Sequence, residues 1–155
     1  MHLLILLTLL LGQEQVFPVT DPKPAVESAR KKAREENRRV LILTGSNTSE
    51  ASRAIATMFK KDKEVARVIL YEYDVVLVGM LEMGQSEAGF PLMAITDSEG
   101  KELYRGAAPA EPKSMTELLK NHQAPPLKAQ DVLDAAKKRA AAEKKRVLLT
   151  LGAPW

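Results

Sequence analysis

Hydroxyl groups, not thiols, hold the positions from which chemistry could start in this chain. None of its 155 residues is cysteine, which excludes disulfides, thiolate catalysis and thiolate metal sites within the sequence. His2 and His122 are too few and too far apart for a histidine metal site, so no metal or organic cofactor is expected. The hydroxyls gather in Gly45-Ser-Asn-Thr-Ser49-Glu-Ala-Ser52, directly after an apolar run. A serine nucleophile needs a base beside it. The one candidate, His122, lies beside Asn121 near an expected helix end and reads as a surface residue. Asn47, Thr48 and Ser49 therefore read first as helix capping.

The elements that would position these residues follow from periodicity. Pro18, Pro22 and Pro24 make the stretch Val16 to Pro24 loose and irregular. Val26, Ala29 and Ala33 recur at helical spacing, predicting a helix over 25–37. Val40 to Leu43 has the length and apolarity of a central strand buried on both faces. A second helix starts near Thr48 or Ser49, with Asn47 and Glu50 as a capping box and Ala51, Ile55, Met58 and Phe59 inward. Val68 to Tyr73 is expected to be a strand after a polar connector at Asp62–Glu64. Val75 to Glu87 stays open between helix and loop. Leu92–Thr96, the turn Asp97–Gly100 and Lys101–Arg105 predict a hairpin, and Met115–His122 a closing helix. This order gives an α/β fold with a central mixed sheet flanked by helices.

Composition bounds the function. Hydrophobic residues make up 45% of the chain and charged residues 28%, with 23 basic and 20 acidic residues interspersed. A packed core is expected, and no basic patch interleaves with aromatics, so no nucleic-acid partner is expected. The apolar run Leu3–Leu11 is too short to span a bilayer. It matches a secretory signal ending at Gly12, although its first residues carry no Lys or Arg, and a buried strand is the competing interpretation. The organisation expected is a signal peptide over 1–12, an extended lead over 13–23, a domain over 24–123, a proline-rich linker over 124–127 and a further unit over 128–155. The protein would be exported, with no membrane span once the signal is removed.

That further unit repeats the start of the domain. A shift of 107 positions carries Val40-Leu41 onto Val147-Leu148, Ala29 onto Ala136, Ala33 onto Ala140, Glu36 onto Glu143 and Arg39 onto Arg146, without a gap over more than twenty residues. Two basic amphipathic helices before apolar strands share some of this likeness in any case.

The second copy ends in Gly152-Ala-Pro-Trp155, and here the chain resembles the thioredoxin-like family. A basic amphipathic helix, a strand and then Gly-Ala-Pro-Trp is similar to the approach to that family's Trp-Cys-x-x-Cys site. The same shift sets Trp155 on Thr48, so the two family cysteines correspond to Ser49 and Ser52. Gly89-Phe90-Pro91 is similar to the family's cis-proline loop, Asp97–Gly100 to its hairpin turn and Gly106 to the glycine after its last strand. The resemblance covers Pro24–His122 and, in part, Lys128–Trp155.

The resemblance implies a thioredoxin-like fold that has lost its redox pair, followed by an incomplete helix–strand unit. Thioredoxin chemistry needs a thiolate at a helix N-terminus and a second cysteine to resolve the mixed disulfide; the serines keep the placement without the chemistry. Binding is what the resemblance leaves: Thr48, Ser49, Phe90 and Pro91 would line a groove for an extended peptide or protein segment, unless Pro91 serves the fold alone. A longer protein would be a thiol–disulfide oxidoreductase with its working site beyond Trp155. If the next residue were selenocysteine, its UGA codon would be read as a stop; a partial gene is the other explanation.

Overall fold

In a computed structural model, residues 15–80 and 91–149 are described. They fall in two compact units, 1–124 and 125–155.

The first unit is organised around β1 (Arg39–Gly45). It pairs in parallel with β2 (Tyr73–Gly79) and antiparallel with β3 (Leu92–Thr96), which in turn pairs antiparallel with β4 (Glu102–Ala107), giving the order β2-β1-β3-β4. The register runs Val40↔Asp74 to Gly45↔Gly79 on one side and Val40↔Thr96 to Thr44↔Leu92 on the other. Because side chains alternate across a strand, Leu41 and Leu43 enter one core and Val40 the other. The larger core joins Leu41, Leu43, Met93 and Ile95 to α2 (Glu50–Lys61), α3 (Lys63–Glu72) and α4 (Pro112–Asn121) through Ile55, Phe59, Val65, Val68, Met115 and Leu119. On the opposite face α1 (Lys23–Glu36) lays Ala33 against Val40 and Val76, with Val26, Ala29, Ile42 and Val78 around them.

Two expectations are corrected. Val68–Glu72 is not a strand. The Asp62 side chain accepts from the Glu64 and Val65 amides at 3.1 and 3.0 Å, which starts a helix. Val65 and Val68, three residues apart, then face inward while Leu70 and Tyr71 are exposed. The strand begins at Tyr73 instead and runs to Gly79, into the stretch from Val75 that had been open between helix and loop; residues 81–87 of that stretch lie outside those described. Second, no capping box forms at Asn47. Ser49 is the N-cap of α2, its Oγ accepting from the Ser52 amide at 3.3 Å, and Glu50 is the first helical residue.

The stretch before α1 is irregular but not loose. Phe17 is completely buried in the larger core, and the Pro18 carbonyl accepts from the Gly79 amide at 2.9 Å. At the hairpin, the Asp97 side chain accepts from the Glu99 and Lys101 amides. Gly100 takes φ +90 there, a conformation that suits a residue without Cβ.

Helix α1 ends on Asn37 at φ 54, with the Arg38 amide donating to the Ala33 carbonyl at 2.8 Å. In the second unit, α5 (Ala129–Ala142) is followed by Lys144 at φ 53, and the Lys145 amide donates to the Ala140 carbonyl at 2.8 Å. Such left-handed endings satisfy the last carbonyls of a helix. No residue of α5 is buried. Val147–Leu149, expected to open a strand, joins no sheet among the described residues, and Leu148 is 88% exposed. A strand without a neighbour has no ladder to hold it.

Candidate functional site at the carboxyl end of the central strand

Past Gly45, β1 hands the chain to a short turn and then to the N-terminus of α2, and there the hydroxyl cluster folds on itself. The Ser52 side chain is fully buried, and its Oγ accepts from the Ser46 amide at 3.2 Å. Ser49, half-buried, caps the helix through the Ser52 amide. Thr48 is exposed; its amide donates to Ser46 Oγ at 3.2 Å, and the two hydroxyls meet at 2.9 Å. Arg53 Nη1 donates to the Asn47 carbonyl at 2.6 Å, tying the turn to the first turn of the helix. Ser49 is thus the accessible member of the pair and Ser52 the buried one.

Pro91 lies at the same end of the sheet. It is one residue beyond the Thr44–Leu92 pair, so the antiparallel register sets it across from Gly45. It is buried, and its carbonyl accepts from the Ala108 amide at 3.0 Å. Phe90, the other groove residue expected from the sequence, lies outside the described residues.

His122 stands apart from this end. Its ring packs on Tyr104 with centroids 5.6 Å apart, and Nδ1 meets the Leu118 carbonyl at 2.9 Å. It is half-buried rather than a plain surface residue. Tyr104 shares a row of the sheet with Ile95 and Leu41, four residues before Gly45, or about 13 Å at strand rise. Among the described residues no imidazole stands beside the serine pair, and the arrangement there is one of capping and hydrogen bonding. Among the described residues no group of three or more acidic or histidine side chains could hold a metal.

One residue at this site escaped the sequence. Phe17 donates its amide to Asn47 Oδ1 at 2.9 Å and accepts from Asn47 Nδ2 at 2.8 Å. Its ring lies so close to Gly45 that a Cβ there would stand 2.9 Å from Cε1 and Cζ, and 2.8 Å from Ser52 Oγ. The one signal for this was an aromatic next to Val16 inside a proline-rich stretch, which composition alone assigns to a loop.

A crystal structure of a disulphide isomerase from Xylella fastidiosa Temecula1 has the same architecture, with a TM-score of 0.50 over 78% of this chain and 92% of that one, at 16% identity. The fold is thioredoxin-like. No protein-family model and no curated protein matches the chain. The thioredoxin-like fold accounts for a central strand that delivers a helix N-terminus beside a proline-led strand. In this chain that helix N-terminus carries serines. No helix among the described residues is long and apolar enough to cross a membrane.

Proposed function

We propose that the first unit is an exported, redox-inactive thioredoxin-fold module that binds an extended peptide or protein segment or serves as the scaffold of a tandem protein. The observation that carries this reading is the serine pair: Ser49 caps α2 and Ser52 is buried beneath it, in a sequence without cysteine. Thr48, Ser49, Phe90 and Pro91 would form the binding edge. The exposed Thr48 and the entry to β3, where Leu92 is 38% exposed, support a groove in which a peptide adds its backbone.

Export is supported by the short apolar run ahead of Gly12. Cleavage there would leave Phe17, the first fully buried side chain among the described residues, in the mature chain. The mass of the secreted protein tests the cleavage position.

Insulin reduction by dithiothreitol is the decisive assay. The chain as it stands should not accelerate it, whereas Ser49→Cys with Ser52→Cys should form an intramolecular disulfide and gain activity. A double-cysteine chain that folds yet neither pairs its thiols nor reduces insulin would show that the serines do not stand where a redox pair could work. Catalysis by the unaltered chain would refute redox inactivity.

A second reading makes this chain part of a longer thiol–disulfide (or selenol) oxidoreductase. Its support is the matching of the two helix endings under the 107-residue shift: Asn37 and Lys144 share their left-handed conformation, and Glu36–Arg38 and Glu143–Lys145 form the same ion pair. Reading the nucleotide sequence past codon 155 tests it.

A further inference from the structure

The face of α5 that carries Leu133, Ala136 and Ala140 is the part of the second unit that matches a buried surface elsewhere in the same chain. Under the 107-residue shift these three residues fall on Val26, Ala29 and Ala33. They are also the only residues of α5 that are not exposed. In the first unit the matching residues pack against Val40 and Val76, with Val78 alongside. In the second unit Ala136 and Ala140 line, with Val147 and Leu148, a cleft of about 470 Å³ instead.

Charge repeats along with shape. Lys32 and Arg38 hold the buried carboxylate of Asp74, with Lys32 Nζ 3.0 Å and Arg38 Nη1 3.9 Å from Oδ1. Their counterparts are Arg139 and Lys145, both basic and both lining the cleft. Asp74, Val76 and Val78 share one face of β2, which runs parallel to β1.

We propose that this cleft is a docking site for a parallel β-strand bearing an acidic residue followed by branched aliphatic residues two and four positions on, supplied by polypeptide outside residues 125–149. The acid would meet Arg139 and Lys145, and the aliphatic side chains would cover Ala136, Ala140 and Val147. This rests on the tandem reading and names the partner of its second unit.

A graft tests it within the existing chain, with β2 as the probe. Ala129–Leu149 replaces Pro22–Ile42, so that α5 and Val147–Leu149 face Asp74, Val76 and Val78. The chimera should keep one cooperative thermal transition. Ala140→Glu in the graft should abolish that transition, as Ala33→Glu should in the parent, where Ala33 is fully buried, while Lys138→Glu on the exposed face should leave it in place. Arg139→Glu should lower the midpoint, and adding Asp74→Arg should recover it. A chimera that does not unfold cooperatively under conditions where the parent does would overturn the proposal. So would a chimera in which Ala140→Glu does no more harm than Lys138→Glu. Neither result touches the serine pair, whose reading stands or falls on insulin reduction.

Discussion

Asn47 holds Phe17 by both of its backbone polar groups, accepting from the amide at 2.9 Å and donating to the carbonyl at 2.8 Å. A side-chain amide here does what a neighbouring strand would do, and it fixes the chain that precedes α1 to the turn that precedes α2. The ring it anchors fills the core between Gly45 and the α2 helix.

Phe17→Ala should therefore act as a core deletion, costing about 3–5 kcal/mol. Asn47→Ala leaves two part-buried backbone groups without that partner and should cost about 1–3 kcal/mol. Urea unfolding of both variants checks this; a Phe17→Ala loss below about 1 kcal/mol would mean that the segment is not part of the folded core.

Gly45 has no room for a methyl group. With Ser52 Oγ and the Phe17 ring both within 2.9 Å of the Cβ position, Gly45→Ala should destabilise by about 1–3 kcal/mol through overpacking. Adding Ser52→Ala should recover only part of that, because the ring stays. Full recovery in thermal melts of the double variant would show that the hydroxyl alone sets the limit.

Ser49 caps α2 with a single side-chain acceptor. Ser49→Ala should cost about 1 kcal/mol, whereas Ser49→Asp should keep the cap and favour the positive end of the helix. Chemical denaturation distinguishes them: equal losses from both substitutions would contradict a capping role.

Tyr73 gives the fold a dependence on alkaline pH. Burial, and next the Glu72 carboxylate, push its hydroxyl well above the ordinary value of 10.0, with Arg39 pulling the other way. The hydroxyl donates to the Leu119 carbonyl at 2.6 Å, which requires the protonated form. A raised folded-state value stabilises fully below the unfolded one, so this contribution is intact below about pH 10 and is lost as pH climbs toward the folded-state value. Tyr73→Phe should lower stability at pH 7 by about 1 kcal/mol and flatten the decline above pH 10. An unchanged alkaline slope in the variant would assign that decline to other groups.

Periodicity was enough to determine α1, β1, the β3–β4 hairpin and α4, because each carries its own pattern and its own turn or cap residues. It also placed the start of α2, since a helix start directly after an apolar strand is a local signal, whereas Ser49 and Ser52 were matched as a pair by the 107-residue repeat. The boundary between α3 and β2 was not local. Val68 to Tyr73 is apolar at strand length, and only packing against Val65 and Leu119, together with the Asp62 cap, decided that the strand starts at Tyr73. Phe17 at Asn47 and Pro91 across from Gly45 join residues 30 and 46 positions apart in the chain. Sequence alone determined which residues could cap, pair or fill. Only the tertiary structure decided which of them meet, because contacts between distant residues depend on the sheet register and on the space left beside a glycine.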